Sequence, residues 1–237
     1  MGGLYTRPIY RLAGDRGLLV EYGDAIDPEV NRYVRAMSIA LSSAPPPGLK
    51  EVIPTYCSLL IYYDPLLTDP TKLQQGLENL SEHLSNIILP VPDTVEIPVC
   101  YGGALGPDMG FVSEYSGLAL KEIVRIHSEP SYQIHMIGFT PGFPFLGGLS
   151  KLLYVPRLRS PRMLVSAGSV GIANDQTGIY PIDSPGGWQL IGRTPFKLFD
   201  PSRPRPFLFK TGDLLKFKPI TLEQYSSLLT SPMGDNE

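Results

Sequence analysis

Leu89-Pro90-Val91-Pro92-Asp93 divides the chain. Two prolines two residues apart favour an extended, exposed backbone, so the segment reads as a linker between two domains. On its amino-terminal side, residues 1–90 alternate strand and helix signals. Leu18–Tyr22 is a short apolar run closed by Gly23-Asp24, and Asp27-Pro28 then supplies an N-cap with proline at the first helical position. Val30, Tyr33, Val34, Met37 and Leu41 recur at helical spacing until Ala44-Pro45-Pro46-Pro47-Gly48 stops the helix. Two strand-like runs follow at Glu51–Ile53 and Ser58–Tyr63. Asp69-Pro70 then starts a second helix with Leu73, Leu77, Leu80, Leu84 and Ile87 on one face. This order predicts a small α+β sandwich.

On the carboxy-terminal side, residues 91–223, one helix is expected around Leu120, Ile123, Val124 and His127, and an alternating strand at Tyr132–Met136. From Gly138 onward helical periodicity vanishes. Short β-prone runs at Met163–Val165, Gly178–Tyr180, Trp188–Ile191 and Leu214–Phe217 are separated by Gly and Pro, the pattern of an all-β barrel or sandwich. Residues 224–237 read as a frayed tail. The fold class expected is therefore α+β in two domains.

The 237 residues include 43% hydrophobic and 18% charged types with a net charge of −3, which excludes disorder. No apolar stretch is long enough for a membrane helix, and no basic-then-apolar leader opens the chain, so a cytoplasmic protein is expected. Cys57 and Cys100 lie far apart without metal or redox spacing and read as reduced thiols. Residues 151–210 hold nine basic side chains against three acidic ones, so this segment carries +6 within a chain of −3. A basic β-region in an acidic protein points to a small anionic ligand, although arginines beside prolines also serve as solvated loop residues. A nucleic-acid partner does not fit a pI of 5.7.

Gly138–Leu149 interleaves three phenylalanines with glycines and prolines. It has two readings, a rigid loop walling a pocket, with Phe139, Phe143 and Trp188 as ligand-facing aromatics, and a rigid interdomain or subunit-facing loop. Glycine-rich turns at Ala167–Ala173, Gln176–Pro181 and Ser184–Trp188 offer backbone N–H groups to an oxyanion. Ser169 lies outside any nucleophile elbow, no phosphate loop occurs, and His83, His127 and His135 lack metal-ligand spacing. A self-sufficient serine hydrolase, an NTPase and a metal site are thereby disfavoured. His127 has two readings, a charged cap at a helix carboxyl end and a general acid or base. His135 reads as a strand-surface residue.

The ordered blocks Tyr101-Gly102-Gly103, Gly106-Pro107-Asp108, His127-Ser128, Gly138–Leu149, Ala167–Ala173, Gln176–Pro181 and Ser184–Pro195 resemble the KipI-like family. That family is also called allophanate hydrolase subunit one, or the B-type subunits of 5-oxoprolinase, within the carboxyltransferase-domain proteins of subdomains C and D. The resemblance implies a cyclophilin-like β-barrel as the second domain. It also implies a second, carboxyltransferase-related subunit and a third, barrel-type subunit, with ATP bound by the complex. Together they would open 5-oxo-L-proline to L-glutamate. Two other activities are associated with the family: inhibition of a histidine kinase's autophosphorylation, and half of a urea- or allophanate-type carboxyltransferase or hydrolase. For the cyclic amide, Arg162 and Arg193 are the expected carboxylate or phosphate ligands. Ser169, Gln176 and Thr177 would orient the amide, and Tyr180 or His127 would transfer a proton. Cys57 and Ser166 depart from the family, which often carries arginine and proline there.

Overall fold

A computed structural model describes residues 3–230. The chain parts into two compact units between Val91 and Pro92. The first holds four strands, β1 (Leu4–Ala13), β2 (Gly17–Gly23), β3 (Leu49–Pro54) and β4 (Ser58–Tyr63), in an antiparallel sheet of order β1-β2-β4-β3. Leu18, Val20 and Tyr22 on β2, with Leu59, Ile61 and Tyr63 on β4, share a core with buried side chains of α1 (Pro28–Ser43) and α2 (Pro70–Ser81). The period-2 alternation of the strands thus meets the 3.6-residue stripe of the helices. Both helices begin as their sequence signals require. Asp27 accepts from the Glu29 and Val30 N–H groups and Asp69 from that of Lys72, with proline at the first position of each helix. The fully buried Asn31 on α1 is satisfied by donating to the Thr55 and Tyr56 carbonyls.

Two differences from the sequence expectation have local causes. α2 ends at Ser81, whose hydroxyl bonds back to the Leu77 carbonyl, and Leu84 sits in a separate single turn. β1 carries no clear strand signal, because it is a largely exposed edge strand interrupted by Pro8, with irregular register between Leu4 and Ile9.

The second unit is built on seven strands that close into a barrel. They are β5 (Thr94–Tyr101), β6 (Ser131–Ile137), β7 (Pro144–Leu146), β9 (Ser169–Ala173), β10 (Gln176–Ile179), β12 (Gln189–Arg193) and β13 (Leu214–Pro219). Around the barrel their order is β10-β7-β6-β13-β5-β12-β9. Closure leaves the ladder with no open edge. β13 pairs in parallel with β5, whereas its pairing with β6 and those of β10 with β9 and β12 with β5 are antiparallel. The interior is filled by Ile97, Val99, Ile134, Leu146, Val170, Ile172, Ile191, Leu215 and Phe217. Helices α3 (Met109–Ser116) and α4 (Leu120–Ser128) contribute Met109, Val112, Ile123 and Ile126 to the same core. A two-stranded sheet of β8 (Arg162–Val165) and β11 (Ser184–Gly186) lies outside the barrel ladder.

The barrel corrects three expectations. Ala167–Ala173 is not a donor-presenting turn throughout, because Ser169–Ala173 is a fully buried strand whose backbone is paired with β10 and β12. His135 is buried on β6, not on a strand surface. Residues 224–230 are not frayed: α5 (Leu222–Thr230) buries Tyr225, whose N–H bonds to the Thr221 carbonyl. Residues 231–237 of the expected tail lie outside the described residues.

Candidate functional site

The loop entering β7 is fixed by its own backbone. Thr140 N–H donates to the Gly138 carbonyl at 2.8 Å, closing a three-residue turn around Phe139, whose φ is 66°. This is the rare, strained γ-turn geometry, uncommon for a bulky side chain. Phe143 N–H returns to the Thr140 carbonyl and Gly138 N–H to that of Phe143, each at 3.1 Å. The outcome is a rigid hoop with Phe139 exposed at its tip and Phe143 buried at its base.

Phe143 organises an aromatic cluster. Phe139, Phe145, Tyr180 and Trp188 stand around its ring at centroid distances of 5.7, 4.8, 5.3 and 5.6 Å, three of them edge-to-face. Two glycines make room for it. A Cβ on Gly178 would stand 2.9 Å from the Phe143 ring, and one on Gly186 would collide with the Tyr180 hydroxyl. The rings form one side of a cavity of about 360 Å³, closed elsewhere by Arg157, Leu158, Pro161, Pro185, Gly186 and Gly187. That volume suits a small ring-sized ligand.

Four of the sequence-predicted residues, Phe139, Phe143, Tyr180 and Trp188, therefore meet at one cavity. The other six do not line it. Arg162 is already engaged: its Nη2 donates to Asp108 at 2.7 Å and its Nη1 to the Trp188 carbonyl at 3.3 Å. Arg193 gives Nε–H to the Ala167 carbonyl at 2.8 Å. Ser169 is buried on β9, where its carbonyl accepts from Tyr180 N–H. Gln176 and Thr177 pair with Ala173 and Ile172 across the barrel ladder.

His127 is fully buried within the barrel. The Thr177 hydroxyl donates to the Gly171 carbonyl at 3.1 Å, so it accepts from His127 Nε2–H at 2.8 Å, and Nδ1 accepts from the Tyr101 hydroxyl at 2.8 Å. Desolvation pulls the imidazole down to about 3, so it is neutral and neither a charged helix cap nor a residue of the cavity. The unfolded chain takes up this proton near the ordinary value of 6.5, whereas the folded chain resists it down to about 3. Stability from His127 is thus complete above 6.5 and falls as pH drops towards 3, by at most about 1.4 kcal/mol per pH unit. In urea unfolding, the wild type is expected to lose about 2 kcal/mol more than His127→Gln between pH 7 and pH 5. Equal losses would contradict this assignment.

Tyr180 is pushed upward by burial, against the opposing influence of the Trp188 N–H, Arg157 and Arg162. It remains a neutral phenol. Sequence reasoning misses Arg157 as a lining residue, since one of several arginines near prolines carries no distinguishing local signal. What separates them is pairing: Arg162 is claimed by Asp108, 54 positions away. Among the described residues no group of three or more His, Cys, Asp or Glu side chains is placed to hold a metal ion, and no helix is long and apolar enough to cross a membrane.

A family model described as carboxyltransferase domain, subdomain C and D, matches residues 8–209. The chain is 41% identical over 223 residues to the B-type subunit of 5-oxoprolinase from Bacillus subtilis, covering 90% of this chain and 92% of that one. To its counterpart from Escherichia coli O157:H7 it is 44% identical over 176 residues, 73% of this chain and 79% of the relative. Among solved structures, it resembles that of TTHA0988 with a TM-score of 0.76 and 38% identity, across 86% of this chain. The chain spans only 40% of that longer solved chain.

Proposed function

Because the chain belongs to the carboxyltransferase domain, subdomain C and D, family, and within it to the 5-oxoprolinase B-type subunits, we propose that it is one subunit of an ATP-dependent 5-oxoprolinase. The complex would add water across the ring amide of 5-oxo-L-proline, breaking the C–N bond to give the carboxylate and amine of L-glutamate. The observation that carries this reading is the 41% identity to the Bacillus subtilis 5-oxoprolinase subunit, extending over nearly the full length of both chains. The aromatic cavity supports it, because the apolar edges of a small lactam ring match walls of Phe143, Trp188 and Tyr180.

An unstrained amide resists water, and ATP supplies the activation. The cavity is poorly matched to a nucleoside triphosphate: one lining side chain is basic and no phosphate loop adjoins it. In this reading ATP is bound by the complex, and this chain's part is to bind and orient the ring. Held by the rigid hoop and shielded by aromatic rings, the amide would be presented in a fixed geometry to chemistry brought by the partners. The complex belongs in the cytoplasm in this reading, where Cys57 and Cys100 remain thiols.

The test is 5-oxoproline-dependent ATP hydrolysis by the assembled subunits, with each omitted in turn. Activity is expected in the complete mixture and lost when this chain is left out. A full rate without it would overturn the assignment.

A further inference from the structure

Arg157 is the one lining side chain with a formal charge, and it is held in place from both sides. Leu158 N–H donates to the Gly187 carbonyl at 2.7 Å, and the Gln189 side-chain amide donates to the Pro156 carbonyl at 3.0 Å. These two bonds lay Pro156–Leu158 along Gly187–Gln189. They bring the Arg157 guanidinium over the Trp188 ring, 5.9 Å from its centroid. A guanidinium over an aromatic face keeps N–H donors free to grip an anion, and arginine offers them in a fork matched to a carboxylate.

Arg162, whose guanidinium also reaches the Trp188 segment, is taken by Asp108. Arg157 forms no ion pair among the described residues, so the cavity combines an apolar pocket with a positioned cation that lacks an anion.

We propose that Arg157 is the carboxylate anchor of this cavity, and that the site selects small cyclic amides bearing a ring carboxylate over their uncharged analogues. The ring would lie against Phe143 and Trp188 with its carboxylate towards the guanidinium. This rests on the proposed 5-oxoprolinase reading and identifies the residue that recognises the acid.

The experiment compares 5-oxo-L-proline with its carboxamide in the assembled complex, as substrate and as competing ligand. Wild type is expected to hold the acid at least about tenfold more tightly than the carboxamide. Arg157→Gln should raise KM for the acid about tenfold, leave the carboxamide unchanged and alter kcat little, with Arg157→Lys recovering part of the loss. Because Arg157 is exposed, these variants should keep the wild-type Tm. Trp188 is the chain's single tryptophan, so its fluorescence in the full chain reports the same binding without turnover. Equal affinity of the wild type for acid and carboxamide, or equal weakening of both by Arg157→Gln, would overturn the anchor. If the complex hydrolyses no ATP in response to 5-oxoproline while Trp188 still separates acid from carboxamide, the 5-oxoprolinase reading fails and the carboxylate site stands. If hydrolysis proceeds and Arg157→Gln leaves KM unchanged, the reverse holds.

Discussion

Phe143→Ala is expected to destabilise the second unit by about 3–5 kcal/mol and to abolish recognition of the cyclic amide. The ring is 2% exposed and contacts Phe139, Phe145, Tyr180 and Trp188. Its removal leaves a void that the surroundings cannot fill, because the loop is closed by its own backbone bonds and β10 is fixed in the barrel ladder. Part of the loss comes from apolar transfer and part from the unfilled cavity, with the edge-to-face contacts adding to both. Phe143→Leu should recover more than half of the stability, since it restores most of the buried volume without the aromatic geometry. Urea unfolding at pH 7, monitored through Trp188, measures both variants. A loss below about 1 kcal/mol for Phe143→Ala would show that the loop collapses freely and is not rigid.

Asp108→Ala is expected to cost about 2–4 kcal/mol and to loosen the far wall of the cavity. Asp108 precedes α3 but makes no side-chain cap there. Its carboxylate accepts from Leu190 N–H at 2.6 Å and from Arg162 Nη2 at 2.7 Å, with only 13% of the side chain exposed. Arg162 also reaches the Trp188 carbonyl, so one acidic group ties β8 to the chain entering β12. Alanine would strand the Leu190 donor and the Arg162 charge, with the charge partly relieved by water because Arg162 is 30% exposed. Asp108→Asn should retain the Leu190 bond and lose the charge pairing, giving an intermediate loss. In thermal unfolding Asp108→Ala should melt first, then Asp108→Asn, then wild type. An unchanged Tm for Asp108→Ala would show that the pair contributes nothing to the wall.

α1 and α2 are legible in the sequence because Asp-Pro starts combine capping and geometry in two adjacent residues, and because their apolar stripes are long. Strands β6, β8 and β13 are visible as short β-prone runs. β5 is not, since Pro98 interrupts its signal and its pairing partner β13 lies more than a hundred residues away. β9 is hidden differently: Ser169, Gly171 and Ala173 look like turn residues, yet all five of its positions are buried in the barrel. Gly171 suits the close packing there, since a Cβ would stand 3.1 Å from the Trp188 Cβ, tighter than an ordinary contact.

At the site, aromatic residues in a glycine- and proline-rich loop are a sound guide to Phe139 and Phe143. The arginines are not separable by sequence. Arg162 looks as good a ligand as Arg157, and only the distant pairing with Asp108 reveals which guanidinium is occupied. His127 misleads for a similar reason: its place at the end of α4 suggests a charge on a helix terminus, but the helix turns that face into the barrel.

Whether the cavity is where the cyclic amide binds is tested most directly by filling it without disturbing the barrel. Gly187 suits this, since a Cβ there meets its nearest neighbour, Pro161, at 3.7 Å, an ordinary contact. In the fully assembled complex, Gly187→Leu should cut glutamate formation from 5-oxo-L-proline by about a hundredfold or more, with subunit assembly and Tm unchanged. A wild-type rate from an intact Gly187→Leu complex would contradict the assignment of this cavity to the substrate.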